Sequence, residues 1–345
     1  MSLRPLRVLV TATGSPGGPR LVRALRENGE RTLEVIGTDI TDRSAGRFLC
    51  DEFHVVPRGD DPALAETLAE LAARTGADCV LPTSSSEVLA LAQGREHFEM
   101  PLLVAGAAGI ARCQDKQATT VAATNAGVPI PETHLVTTPE EFREVAEALG
   151  YPAVDICMKP PTAKGSRGFR ILSGNVDRRY ALLEARPGPL PLSVDEALEA
   201  IGSDDFPPLL VMELVTGPEH TVDGICRDGR LVLGHAKTRE AMRAGLAMWF
   251  ETLDRPELVQ AADRLAQELG LDWLVNVQFI GDRLLEINPR ISTVMYQEDL
   301  NLPYLAVRHA LAEISRDELA SLASRVRPTR RVLRYYEQVE WDEPG

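Results

Sequence analysis

The chain has 345 residues with 37 Lys and Arg against 51 Asp and Glu, a formal charge of −14, which argues against nucleic acid or an anionic membrane surface as its main partner. It is 44% hydrophobic and 26% charged, and no apolar run approaches the roughly 20 residues of a bilayer helix. It therefore reads as a soluble protein of two or three packed domains.

Met1 to Arg7 leads straight into a strand pattern with no signal-peptide cleavage site, so a cytoplasmic location is expected. Five cysteines (Cys50, Cys79, Cys113, Cys157, Cys226) without a C-x-x-C pair suit reduced thiols, and the six histidines show no metal-ligand spacing. Residues 8–10 read as a buried strand, followed by a glycine loop from Thr13 to Gly18 and a helix over 19–28. A second strand over 33–37 ends at Thr38-Asp39, and a helix near 62–75 leads into a strand at 79–82. This alternation predicts a parallel, doubly wound α/β sheet, closed by a short apolar strand at 101–105.

Cys113-Gln114-Asp115-Lys116 opens a helix reaching about Asn125 and marks the first domain boundary; Thr138 caps a helix with an acidic first turn. A strand precedes Lys159, and the Pro-rich stretch 185–208, with one helix at 194–201, reads as an insertion or connector. From Leu209 the pattern is strand-rich: 209–214, 220–226 and 231–234, a helix at 256–269, then a hairpin of 275–280 and 283–288 around Gly281-Asp282. A helix at 303–314 follows, and the acidic end from Glu337 to Glu343 reads as a solvated tail.

The loop Ala12-Thr13-Gly14-Ser15-Pro16-Gly17 matches two glycines of G-x-G-x-x-G, with Asp39 where a ribose-binding acid would stand. Ala12 replaces the first glycine and Pro16 stiffens the loop, so a plain strand-to-helix turn is the better reading. A substrate carboxylate or phosphate at the helix start is its alternative. The stretch from Lys159 to Phe169 sets a lysine at a strand end before a loop whose backbone N–H groups and cations can cover a polyphosphate. It lacks G-x-x-x-x-G-K-[ST], so it is not a Walker loop.

In the hairpin, period-2 alternation sets Gln278 on one strand and Glu286 and Asn288 on one face of the other. Three oxygen donors there suit Mg²⁺ when nucleotide phosphates and water complete its octahedron. A solvated hairpin face is the competing reading, and Leu284, Leu285 and Ile287 argue against it by marking a buried strand. Arg290, two residues beyond Asn288, points the same way and can meet a γ-phosphate, an acyl phosphate or a carboxylate. Trp249 and Phe250 read as packing.

These elements in this order resemble the ATP-grasp superfamily, closest in style to its carbamoyl-phosphate-synthase-like branch, over nearly the whole chain. The resemblance implies an α/β and α+β architecture: a Rossmann-like pre-grasp domain (1–112) followed by a two-lobed ATP-grasp fold. The lobes are a small lid domain (113–210) and a large domain with the metal site (211–325), before a C-terminal segment (326–345). It further implies that Lys116 and Lys159 are ATP-binding cations, and that Lys164, Ser166, Arg167 and Gly168 belong to a lid loop ordered by nucleotide. The run from Glu213 through Gly217 and Glu219 to Asp223 resembles a hinge in which backbone near Glu213, Leu214 and Val215 binds adenine and Glu219 binds ribose. Glu286-Ile287-Asn288-Pro289-Arg290 resembles the E-x-N-P-R metal signature, and Gln278 stands where many members carry an acid. A glutamine also occurs there in this branch. Lys237, Arg239 and Arg243 lie in a basic stretch after the 231–234 strand, where related enzymes place a phosphate or substrate contact; with Arg290, Lys237 and Arg239 are the candidate catalytic residues.

The activity so implied is carboxylate–amine ligation through an acyl phosphate. It would use ATP and Mg²⁺ (or Mn²⁺ in its place) and a small carboxylate and amine, with no nucleic-acid or membrane partner and a homodimer as the default assembly. The alternatives are a bicarbonate-activating carboxylase or carbamate-forming enzyme, and a non-catalytic nucleotide-binding regulatory protein. The sequence shows no G-x-S-x-G elbow, which suits phosphoryl chemistry, where positioning and charge neutralisation matter more than a nucleophilic side chain.

Overall fold

The computed structural model describes residues 3–162, 167–184, 190–243, 246–291 and 299–342. The first part runs β1 (Leu6–Val10), α1 (Gly18–Arg26), β2 (Leu33–Asp39), α2 (Gly46–Leu49), β3 (Glu52–Val55), α3 (Leu64–Thr75), β4 (Cys79–Leu81), α4 (Val88–Gln93) and α5 (Ala107–Gln114). Its strands form one parallel sheet in the order β3-β2-β1-β4. Leu6, Val8 and Val10 pack with Leu21 and Leu25 of α1, while Leu9 turns to Leu64 and Leu68 of α3, so both faces are covered as a parallel sheet requires.

One feature of this part departs from expectation, and a second follows the preferred reading of the glycine loop as a plain turn. The apolar segment 101–105 forms only a single bridge, Leu102 to Val80: the Val80 N–H donates to the Pro101 carbonyl and the Leu103 N–H to the Val80 carbonyl, and the next donor in that register would be Pro82, which has no N–H. The glycine loop closes on itself: Asp39 accepts from the Gly14 N–H at 2.7 Å and from Ser44 Oγ at 3.1 Å. A Cβ on Gly18 would stand 2.1 Å from the Thr13 carbonyl oxygen, so glycine is what lets the loop meet the helix so tightly.

The second part runs α6 (Lys116–Asn125), β5 (Thr133–Val136), α7 (Pro139–Ala148), β6 (Ile156–Lys159), β7 (Arg170–Leu172), α8 (Arg178–Leu183), α9 (Val194–Ile201) and β8 (Leu209–Glu213). Its sheet is antiparallel, in the order β5-β8-β6-β7. Asp115 is extended and accepts from the N–H groups of Gln117 and Ala118, so α5 stops and α6 starts there instead of one helix opening at Cys113. The Pro-rich stretch is not an insertion where it is described. Ser193 and Glu196 cap α9 reciprocally, and Val194, Ala197 and Leu198 complete a core with Val136, Phe142 and Leu172.

The third part runs β9 (Glu219–Arg227), β10 (Arg230–Thr238), β11 (Glu240–Arg243), β12 (Leu246–Leu253), α10 (Pro256–Leu269), β13 (Trp273–Ile280), β14 (Arg283–Asn288), α11 (Leu302–Ala310), α12 (Arg316–Ser321) and β15 (Arg331–Leu333). The sheet order is β11-β12-β10-β9-β13-β14, with β15 on β12. One face carries Val222, Ala236, Val275, Val277 and Ile287 against Leu258, Ala262 and Leu265 of α10. β10 extends to Thr238, so Lys237 lies inside a strand and not after one, and the β11–β12 hairpin was not foreseen. Beyond β15 the described tail is not freely solvated: Glu337 pairs with Arg23 at 3.2 Å and the Trp341 ring lies 4.6 Å from that of Phe48. Among the described residues no helix is long and apolar enough to cross a membrane.

Candidate nucleotide and metal site

The second face of the large sheet is polar across four strands. Register places His235, Asp223, Asn276 and Asn288 opposite one another in one row, and Lys237, Thr221, Gln278 and Glu286 in the next. Residues opposed in an antiparallel ladder share a face, so these rows form one surface. It is dry at the β10 end, where His235 is 1% and Lys237 0% exposed, and opens at β14, where Glu286 is exposed.

Hydrogen bonds run along this surface. The Lys237 ammonium donates to the Asp223 carboxylate, Asn276 Nδ2 donates to Asp223 Oδ1 at 2.7 Å, and Gln278 Nε2 donates to Asn276 Oδ1 at 3.0 Å. At the open end Asn288 Nδ2 donates to Glu286 Oε1 at 2.8 Å, and Arg290 Nη2 donates to Asn288 Oδ1 at 3.3 Å. Lys237 also lies 4.9 Å from the centre of the Phe250 ring, which gives that aromatic its packing role. Burial pushes the Lys237 pKa down, against the opposing pull of Asp223.

His235 is buried, and among the described residues neither of its ring nitrogens nor the buried Thr221 hydroxyl has a hydrogen-bond partner. Burial, then the Lys237 charge, lower the His235 pKa from 6.5 to about 3. The folded chain thus refuses a proton that the unfolded chain accepts. The neutral imidazole contributes stability that is complete above pH 6.5 and is lost as pH falls toward 3. His235→Phe should therefore flatten the fall in urea midpoint between pH 7 and about pH 4.5. An unchanged fall would show that His235 does not carry it.

Two lysines face this surface from the second part of the chain. Lys116 begins α6 and its Nζ donates to the Pro161 carbonyl at 3.3 Å; Lys159 ends β6. Burial lowers both pKa values, Lys116 is the next cause for Lys159, and Glu286 opposes the fall in each. Glu286 lines one pocket together with both lysines. That pocket has Ile130, Leu210, Met212 and Leu284 in its lining and Lys116 and Lys159 at its charged side. Such an apolar floor suits a flat base and such a mouth a polyphosphate.

The remaining sequence candidates fall nearby in uneven ways. Glu213, at the end of β8, pairs with Arg283 and accepts from the Glu132 N–H at 3.3 Å; the Arg283 contact holds its carboxyl below the usual range. Leu214 and Val215 follow it, half-buried. Glu219 lies 3.6 Å from Arg239, so the residues expected at ribose and at phosphate form one pair. Arg243 is exposed, with its guanidinium 6.0 Å from the Tyr336 ring centre. Lys164 and Ser166 lie outside the described residues, as does most of the lid segment; Arg167 is exposed, and Gly168 sits against Pro160, where a Cβ would approach Cδ to 2.6 Å.

Asn276, Thr221 and His235 were not singled out from the sequence. The signal was present as period-2 pairs, Thr221 with Asp223, His235 with Lys237 and Asn276 with Gln278, each alternating with apolar or small residues. Ser85 could not have been found so. It comes from the loop after β4 and accepts from Arg290 Nε at 2.7 Å, 205 positions away.

Among the described residues no three His, Cys, Asp or Glu side chains converge as a metal cage. Glu286, Asn288 and Gln278 offer one carboxylate and two amide carbonyls on a single sheet face. That donor set fits a hard cation whose remaining ligands are phosphate oxygens and water, and does not fit zinc.

A doubly wound domain, a small antiparallel lobe and a large antiparallel lobe, meeting at a cleft with two lysines opposite Glu286 and Asn288, define the ATP-grasp architecture. Residues 205–332 match the family described as ATP-grasp in the biosynthetic pathway with Ter operon, and residues 8–103 match the PylC-like, N-terminal domain. Residues 205–332 thus match an ATP-grasp family model, and the chain as a whole has the ATP-grasp fold. Its fold is similar to the biotin carboxylase domain of Hydrogenobacter thermophilus 2-oxoglutarate carboxylase, solved with MgADP, ADP and bicarbonate, with TM-score 0.62 and 19% identity over 90% of this chain and 70% of that one. It is also similar to phosphoribosylglycinamide synthetase from Anaerococcus prevotii (TM-score 0.62, 16% identity, 95% of this chain and 80% of that one). A third is N5-carboxyaminoimidazole synthetase from Staphylococcus aureus complexed with ADP (TM-score 0.61, 14% identity, 84% and 72%).

Proposed function

We propose that the chain is an ATP- and Mg²⁺-dependent carboxylate–amine ligase acting on a small carboxylate, an amino acid or peptide. The observation that supports this most is the meeting of Glu286, Asn288 and Gln278 with Lys116 and Lys159 across one cleft, with Arg290 at its edge. In this reading a carboxylate oxygen attacks the γ-phosphorus, the bond to the bridging oxygen breaks, and ADP leaves with the electron pair. An amine then attacks the acyl carbon, sheds a proton and expels phosphate. Lys116 and Lys159 bind and hold the polyphosphate, and Arg290 bears on the charge of the transferring group. Glu286, Asn288 and Gln278 would hold Mg²⁺, which would supply Lewis-acid neutralisation of the phosphate oxygens. Lys237 and Arg239 serve as further cations behind it, Lys237 held in place by Asp223.

The likeness to a biotin carboxylase domain solved with bicarbonate supports a second reading, in which bicarbonate is the acid that is activated. Both are tested by ADP release from Mg-ATP across a panel of amino acids and other carboxylates, each with and without amines, and with bicarbonate alone. Acid-dependent release that rises on adding an amine is the expected result. Release with bicarbonate alone would favour the second reading, and no release in any arm from protein that binds ATP would leave a nucleotide-binding regulator.

A further inference from the structure

The loop Thr83–Glu87, between β4 and α4, belongs to the parallel-sheet domain yet reaches the end of the metal signature. It is fixed from within. The Glu87 side chain is buried, and its Oε1 accepts from the Thr83 N–H at 3.1 Å, the Ser84 N–H at 2.8 Å and the Thr11 hydroxyl. Gln114 Nε2 donates to the Ser85 carbonyl at 3.1 Å and so fixes the backbone of the residue that matters. Ser85 Oγ then accepts from Arg290 Nε at 2.7 Å and lies 3.4 Å from Asn288 Oδ1.

The two partners are unequal. The serine has one rotatable bond on an anchored backbone, whereas the arginine stem is long and loses much rotamer freedom when it is held. Nε is the guanidinium nitrogen nearest the stem, so engaging it fixes the plane and direction of the whole group. The terminal nitrogens then reach the Ile291 carbonyl at 3.0 Å and Asn288 Oδ1 at 3.3 Å, on the side of the metal signature. We propose that Ser85 is a positioning residue: the N-terminal domain, through Ser85, aims Arg290 at the terminal phosphate of the bound nucleotide. This rests on the ligase reading above, which places nucleotide in the cleft.

The test compares binding of Mg-ADP with binding of a Mg-ATP analogue whose β–γ bridge is nitrogen, by calorimetry on the whole chain. The proteins are the wild type, Ser85→Ala, Ser85→Thr, Arg290→Lys and the double variant Ser85→Ala/Arg290→Lys. Ser85→Ala is expected to weaken the analogue by about tenfold and to leave ADP within about twofold, the size of a lost charge-assisted hydrogen bond. Ser85→Thr should restore the analogue, and the double variant should bind it no more weakly than Arg290→Lys alone, as two residues acting through one contact require. Equal weakening of both nucleotides by Ser85→Ala would show a merely structural loop and overturn the proposal. So would an unchanged analogue in Ser85→Ala, whatever Arg290→Lys does. A wild type that binds neither nucleotide would instead defeat the ligase reading, and the inference with it.

Discussion

Asp223→Ala is expected to destabilise the protein by about 3–5 kcal/mol, the usual cost of stranding one partner of a buried ion pair. Lys237 is fully buried and its ammonium bonds to the Asp223 carboxylate. Without that carboxylate the contact among the described residues that still opposes its desolvation is the Phe250 ring face. Burial already lowers the Lys237 pKa and Asp223 opposes that fall, so the variant should lower it further. A base whose folded pKa is depressed binds its proton more readily in the unfolded chain, so stability rises with pH up to the unfolded value of 10.5. Urea midpoints at pH 7 and pH 10 check this: the deficit of Asp223→Ala should shrink at the higher pH. The paired variant Asp223→Leu/Lys237→Met, which removes both charges, should recover most of the stability at pH 7, because the desolvation cost disappears with the charges. A deficit that is equal at both pH values would show that the lost contact, and not the stranded charge, is what matters.

The elements that sequence patterning read well are those whose burial has a simple period. The helix at 256–269 matches α10 to the residue, because Leu258, Ala262, Leu265 and Leu269 recur on one face and Gly270 ends it in a left-handed conformation. The hairpin that places Glu286 and Asn288 was legible for the same reason, with period 2 in place of 3.6. The β11–β12 hairpin was not, because Glu240 to Arg243 are all exposed and leave no apolar alternation to read. The tail was misread because its acidic composition hid two specific contacts, Glu337 to Arg23 and Trp341 to Phe48, both made with residues more than 290 positions away. The limit at the site is of this second kind. The sequence brought out the cations and the metal signature, each a local pattern, but the rows joining His235 to Asn288 depend on register between four strands.

Glu286→Gln should leave the fold intact and lower Mg²⁺-dependent turnover by on the order of 10³-fold, the scale set by losing one electrostatic group from a transition-state site. The fold argument is local: the side chain is exposed, and a glutamine carbonyl can still accept from Asn288 Nδ2, which now bonds Glu286 Oε1 at 2.8 Å. Thermal midpoints should therefore stay close, with a small fall in the variant because Glu286 also opposes the desolvation of Lys116, Lys159 and Arg290. The stronger test lies in binding, because Glu286 acts on both sides of the charge balance. It raises the pKa of Lys116, Lys159 and Arg290, which means that it shares their positive potential. In the absence of metal a carboxylate so placed repels the phosphates that the lysines attract. ADP in EDTA should bind Glu286→Gln as tightly as the wild type or several-fold more tightly, whereas adding Mg²⁺ should strengthen binding only in the wild type. A variant whose ADP affinity still rises with Mg²⁺ would remove Glu286 from the metal site. The same titration on Gln278→Ala, a neutral residue, separates the two ligands: its metal-free binding should not change, because it carries no charge to relieve.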